Sequence, residues 1–265
     1  MPAGTALVTG ASAGIGREFC RQLAARGHDL ILVARDVERL AALAAELAER
    51  YGVTAAVHAS DLTCDADVDQ VVARIADTPA LTLLVNNAGF GTLGSVAEAP
   101  PGQQESMLRL HVLTPMRLTR AALPGFLARR RGGIVNVSSI ASFIYGAGSV
   151  NYCATKAYLT TFTEGLAAEL AGTGVQAQAL CPGFTRTEFH QRLGLGPKAE
   201  RATGVPPAFM WMTAESVVRA SLRQLDRGGP TICVPGVGYK AMVGVLRLLP
   251  RRAIGLATGR GCRRV

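Results

Sequence analysis

Short continuous apolar runs alternate with longer segments of helical period along nearly the whole chain, and this constrains the fold more than any other feature. Ala6–Thr9, Leu30–Val33, Val53–His58, Leu81–Val85, Ile134–Val137, Val175–Leu180 and Thr231–Val234 read as strands. Between them, Gly14–Arg26, Val37–Tyr51, Asp65–Asp77, a long stretch around Glu105–Arg130, Tyr152–Leu170 and Ser216–Asp226 read as helices. Gly52 is a plausible end cap for the second helix, and Asp65 and Asp36 are plausible start caps. Strands that are apolar throughout must be covered on both faces, which points to a parallel sheet whose crossovers are the helices. No repeat or linker divides the 265 residues, so a single domain over 1–265 is expected.

Bulk properties narrow the function classes. Hydrophobic residues make up 49% and charged residues 18%, a balance that argues against disorder. The six cysteines form no C-x-x-C pair and the histidines no ligand cluster. Reduced thiols, a cytoplasmic location and no metal are therefore expected. No secretory signal and no membrane-spanning run is expected either. The net charge of +9 is concentrated at the end. From Tyr239 onward there are seven basic residues and no acid, which leaves 21 basic against 19 acidic residues before it. A nearly neutral body speaks against a nucleic-acid partner.

Chemistry gathers where strands end. Thr9-Gly10-Ala11-Ser12-Ala13-Gly14-Ile15-Gly16 joins the first strand to the first helix. Glycines there let the backbone approach a pyrophosphate, and the helix start offers free N–H groups and a positive dipole end. Taken alone, the cluster is also compatible with a tight turn. At the end of the second strand, where an acid would select NAD, Ala34 is followed by Arg35. An arginine can pair with a 2′-phosphate, so NADP(H) is expected to be preferred, with NAD(H) still usable. Asp61-Leu62 and Asn86-Asn87-Ala88-Gly89 close the next two strands. Tyr152 and Lys156 lie four residues apart on one helical face. A nearby ammonium lowers the ordinary tyrosine pKa of about 10, as a general acid/base requires. Ser138-Ser139 ends the fifth strand at the same edge and can hold a carbonyl oxygen.

Jointly, these pieces resemble the short-chain dehydrogenase/reductase family. The matches are Thr9-Gly10-x-x-x-Gly14-x-Gly16, Asn86-Asn87-Ala88-Gly89, Asn136-Val137-Ser138-Ser139, Tyr152-x-x-x-Lys156 and Cys181-Pro182-Gly183-Phe184-Thr185, in the family's order. The resemblance implies a Rossmann-like, doubly wound, mostly parallel seven-stranded sheet. It implies that Tyr152 protonates the carbonyl oxygen, Ser139 orients it, and Lys156 holds the nicotinamide ribose and depresses the tyrosine pKa. Asp61 and Leu62 would lie at the adenine end, and Asn87, Ala88 and Gly89 along the adenosine ribose. Pro182, Gly183 and Thr185 would flank the nicotinamide, with Thr187 a phosphate or carboxamide contact. It also implies a homodimer or homotetramer built on the two long helices.

One position departs from the pattern. His111 stands where the family usually has an asparagine that anchors a water in the proton path. Two readings are open: a proton relay, or a core-facing histidine with no chemical role. The intact Ser139, Tyr152 and Lys156 argue for a catalyst over a non-catalytic cofactor sensor, for which His111 is the only mark. Residues 187–212 have the makeup of a substrate lid, with Phe189, Leu193, Leu195, Phe209, Met210 and Trp211 as candidate walls for a lipophilic substrate. The segment 239–265 combines Met242, Val243, Val245, Leu246, Leu248 and Leu249 with arginines. It suits either packing on protein or peripheral contact with an anionic membrane.

Overall fold

The computed structural model describes residues 3–92, 94–189 and 208–250. The strands are β1 (Thr5–Thr9), β2 (Asp29–Ala34), β3 (Ala55–Ala59), β4 (Leu81–Asn86), β5 (Gly132–Val137), β6 (Val175–Leu180), β7 (Thr185–Arg186), β8 (Met212–Thr213) and β9 (Ile232–Cys233). The helices are α1 (Gly14–Ala24), α2 (Val37–Tyr51), α3 (Asp65–Ala76), α4 (Pro101–Leu108), α5 (Thr114–Ala128) and α6 (Val150–Glu169). Among the described residues two more follow, α7 (Ala214–Asp226) and α8 (Val237–Leu248).

Seven strands form one sheet in the order β3-β2-β1-β4-β5-β6-β9, with every pairing parallel. This is the expected doubly wound sheet. Side chains alternate between two cores, as the pleat requires. Ala6, Val8, Leu30, Leu32, Leu83 and Val85 meet α1, α2 and α7 on one face. Leu7, Ile31, Val33, Leu84 and Ile134 meet α3, α5 and α6 on the other. Winding reverses between β1 and β4, and in such sheets ligands bind at the carboxyl ends beside that switch point.

Several boundaries differ from expectation. The long helix of 105–130 starts at Pro101 and is interrupted by a π-helical turn, Arg109–Leu113, before α5 continues. Asp65 does not cap α3; it is the first helical residue, after Cys64. Asp36 and Gly52 do cap α2: the Asp36 side chain accepts the Arg39 N–H, and Gly52 is left-handed at φ 68°. The small parallel pair β7–β8 joins Thr185 to Met212 and Arg186 to Thr213. It therefore brings the two ends of the expected lid together. Residues 190–207, with Leu193 and Leu195, lie outside the described residues.

A buried ladder ties the last long helix to the sheet. Asn86 Nδ2 donates to Asn136 Oδ1 at 2.8 Å, and Asn136 Nδ2 donates to Thr163 Oγ1 on α6 at 2.9 Å. Ser138 Oγ adds a bond to the Lys156 carbonyl at 2.8 Å. Together they set the height of α6 against β5.

Candidate active site

A cavity of about 790 Å³ opens at the carboxyl edge, between the first turn of α1 and the start of α6. A smaller one of about 260 Å³ lies at the opposite edge, around Gly174, Gln178 and Pro230, and none of the described residues lining it is ionisable. The larger cavity carries the chemistry.

Its floor is the glycine loop: Gly10, Ser12, Ala13, Gly14 and Ile15 line it. Gly10 has φ 66°, and a Cβ on Gly16 would sit 2.2 Å from the Gly10 carbonyl oxygen, so Gly16 serves the loop's tight closure from behind. The start of α1 has no side-chain cap and no acid in its first turn. Its N–H groups and positive dipole end therefore face the cavity, and this is a cradle that fits a pyrophosphate. Asn87, Ala88 and Gly89 line the adjoining wall. Thr9 Oγ1 holds them, accepting the backbone N–H groups of Asn87 and Ala88 at 2.9 and 3.0 Å.

The adenine-side residues stand apart from the cavity lining. Arg35 is well exposed, 3.8 Å from the Asp61 carboxylate. Asp61 Oδ1 accepts both the backbone N–H and the hydroxyl of Thr63. These bonds and Arg35 hold its carboxyl below the ordinary range against the opposing effect of burial. Leu62 is a core residue whose carbonyl accepts the Thr114 hydroxyl at 2.8 Å. Only backbone is left for a nucleotide there.

At the other end the reacting groups converge. Ser139, Tyr152 and Lys156 all line the cavity, as do Pro182, Gly183, Thr185 and Thr187. The two serines have different work. Ser138 Oγ is tied to α6, whereas Ser139 Oγ accepts the Ala141 N–H at 3.1 Å and lies close enough to the Tyr152 phenol to favour its ionised form. Lys156 Nζ donates to the Val137 carbonyl at 2.9 Å and lies 5.8 Å from the centre of the Tyr152 ring.

The expected depression of the phenol pKa is not what the surroundings produce. Burial pushes Tyr152 up to about 12, against the lowering effect of the nearby Ser139 hydroxyl. Burial also pushes Lys156 down to about 8. In both groups desolvation of the charged form is the largest effect.

His111 sits in the π-helical turn, 1% exposed. Its Nε2 accepts the Phe90 N–H at 3.1 Å, so Nδ1 carries the proton and donates to Thr155 Oγ1, also at 3.1 Å. Thr155 in turn donates to the Tyr152 carbonyl at 2.9 Å. Burial and the nearby Lys156 hold the ring well below the ordinary histidine pKa. The imidazole is thus neutral, with both nitrogens engaged, and joins the Asn87–Phe90 loop to the catalytic helix.

Of the expected lid walls, Phe189 and Trp211 line the cavity, with the Phe189 ring 6.0 Å from that of Tyr152. Met210 packs in a core beneath, and Phe209 is not a wall at all, since it is 86% exposed. Walls that sequence reasoning misses are Phe90, Ile140, Ile144 and Phe184. Only Phe184 belongs to a family motif; the others are apolar residues in irregular segments, which carry no periodic signal. Glu188 at the foot of the lid pairs with Arg39 of α2 at 2.8 Å.

Comparison with known proteins agrees with this geometry. Residues 4–197 match the family model for short chain dehydrogenases. An uncharacterized oxidoreductase of Bacillus subtilis, YmfI, is 34% identical over 203 residues, covering 76% of this chain and 83% of that protein. A short-chain dehydrogenase from Sphingobium yanoikuyae in complex with NADPH superposes with a TM-score of 0.83 at 34% identity, covering 92% of this chain and 94% of the other. The bulky-bulky ketone specific alcohol dehydrogenase from Comamonas testosteroni gives 0.78 at 30% identity, covering 95% and 96%. With its glycine loop, its Ser139–Tyr152–Lys156 site and a family match over most of its length, the chain belongs to the short-chain dehydrogenase/reductase family, oxidoreductases that act between alcohol and carbonyl groups with NAD(P).

Proposed function

We propose that the protein is an NADP(H)-dependent carbonyl reductase, or the reverse alcohol dehydrogenase, acting on a lipophilic substrate. The observation that carries this is the meeting of the Ser139 hydroxyl, the Tyr152 phenol and the Lys156 ammonium on the rim of the cavity floored by the glycine loop. The nicotinamide, when bound, supplies or accepts the hydride. Gly10, Ser12, Ala13, Gly14, Ile15 and Gly16 form the pyrophosphate cradle. Arg35 reads the 2′-phosphate, and Asp61 with the Leu62 backbone borders the adenine. NAD(H) lacks that phosphate and binds less well. The Sphingobium relative's complex with NADPH is in keeping with this preference.

Ser139 donates to the substrate oxygen and Tyr152 delivers the proton to it. The protonated phenol is the form that reduction of a carbonyl uses, and burial favours that form. Lys156 holds the nicotinamide ribose and restores the tyrosine proton. Pro182, Gly183, Thr185 and Thr187 border the nicotinamide. Phe90, Ile140, Phe184, Phe189 and Trp211 offer an apolar bed for the rest of the substrate, in line with the bulky ketones of the Comamonas relative. His111 acts as a positioning residue.

The chain is further taken to be cytoplasmic, to assemble as a homodimer or homotetramer, and to touch membranes peripherally through its basic end. The deciding experiment is Tyr152→Phe assayed with NADPH and a panel of bulky ketones. Turnover should fall by about a thousandfold or more while NADPH affinity stays within a few-fold of wild type. A variant that keeps turning over ketones removes the mechanism.

A further inference from the structure

Helix α8 is fixed to the substrate side of the cavity along one edge. Tyr239 and Val243 are buried in a third core with Phe143, Ile140, Phe184 and Met210, of which Ile140 and Phe184 also line the cavity. Tyr239 Oη accepts the Phe184 N–H at 3.1 Å and donates to the Met210 carbonyl at 2.9 Å. Arg247 lies over the Phe143 ring at 5.3 Å and reaches Glu164 at 3.3 Å. The helix therefore has a settled orientation.

Its opposite edge is apolar and open to solvent. Val237, Ala241, Val245 and Leu248 succeed one another at steps of four, four and three, which is one stripe of a helix. Val237 and Leu248 are 85% and 87% exposed, and Val245 58%. Phe209, equally exposed, stands on the turn whose Met210 carbonyl Tyr239 holds. Large apolar side chains gathered this way mark a contact surface, whereas scattered ones do not.

The charges around the stripe choose the partner. Lys240 lies on the same helix and Arg251 and Arg252 come within four residues of Leu248, while Arg247 is paired with Glu164; no acid occurs from Tyr239 to the end. Two copies meeting symmetrically on this face would press like charges together. The chain's own end, with five arginines in 251–265, would do the same if folded over it. An anionic lipid surface satisfies both features at once. A helix of 12 residues is only about 18 Å long, so it lies along the bilayer and does not cross it.

We propose that α8 and Phe209 form the face by which the protein rests on an anionic bilayer. This rests on the peripheral-contact reading above and assigns it a surface. The apolar stripe enters the acyl boundary and the cations meet the headgroups. The wall formed by Ile140 and Phe184 then lies one helix away from the membrane, on the other side of α8, and the substrate class this favours is a carbonyl compound that partitions into lipid.

The test is co-sedimentation of the full chain, with NADPH present, on vesicles of phosphatidylglycerol and phosphatidylcholine in equal parts, beside vesicles of phosphatidylcholine alone. Wild type should bind the mixed vesicles and hardly bind the neutral ones. The double variant Val245→Gln/Leu248→Gln, both at exposed positions, should bind at least about tenfold more weakly. Its thermal midpoint and its turnover of a small water-soluble ketone should be unchanged. No binding by wild type overturns the proposal, and so does full binding by the double variant. If deleting 251–265 abolishes binding while the double variant still binds, the peripheral contact stands and this face is the wrong one. A deletion that strengthens binding would make the chain's own end the occupant, and a drop in solution mass of the double variant without loss of vesicle binding would make it a second copy; either result overturns the proposal.

Discussion

Tyr152 and Lys156 show how far a spacing can be read. Four residues on a helix correctly predict a shared face, and both side chains open on one cavity. The spacing says nothing of the medium between them, and there burial dominates, raising the phenol to about 12 and lowering the ammonium to about 8. His111 is a second case. Sequence alone leaves it between a relay and a core residue. The structure has both nitrogens bonded, with the proton assigned to Nδ1 by the Phe90 N–H on the other side. Glutamine can offer the same acceptor and donor, so His111→Gln should keep most of the activity. His111→Leu leaves the half-buried Phe90 N–H without an acceptor and should cost about 1–3 kcal/mol of stability, together with a raised KM for the cofactor. The wild-type rate should show no histidine limb between about pH 5 and 8, whereas a relay would impose one in that range. Arg35 has its prediction too. Arg35→Ala should weaken NADPH by roughly tenfold or more and NADH by less than about twofold, measured by fluorescence titration. An equal loss for both cofactors would remove the specificity assignment.

Among the elements, regular ones are legible in the sequence and irregular ones are not. All seven strands of the main sheet are where apolar runs stand in the sequence, within two residues at either end. The π-helical turn at Arg109–Leu113 escapes such reading, because a single extra residue leaves the helical period almost unchanged. So does the β7–β8 pair, whose two-residue strands are too short to carry alternation. Position of the catalytic helix depends on the polar ladder from Asn86 through Asn136 to Thr163. In the sequence Asn136 is visible only as part of a motif, yet it is fully buried and bonded to β4 and α6 at once. Asn136→Ala should lower unfolding stability by about 1–3 kcal/mol in denaturant titration, because both partners lose a bond without access to water. Loss of activity with unchanged stability would instead assign Asn136 to the chemistry.

On the scale of the whole molecule, the order β3-β2-β1-β4-β5-β6-β9 does the gathering. Strand ends far apart in sequence, at Gly10, Asn87, Ser139 and Pro182, come to one edge because every strand in the sheet points the same way. Charge is arranged on the same scale. A body near neutrality carries its binding cleft, and the excess of cations is left to α8 and the residues beyond it. The cleft's substrate wall and that helix share one core, so the two features are mechanically joined.

The amino-acid order by itself determined the layer architecture, the edge on which chemistry occurs and the residue types that perform it. Those depend on local periodicity and on short spacings, both of which are properties of neighbouring residues. Only the tertiary structure decided how burial moves the paired ionisable groups, that His111 is engaged on both sides, and that Phe209 points outward. These outcomes turn on contacts between residues distant along the chain and on exclusion of water from between them, and neither is encoded in any one segment.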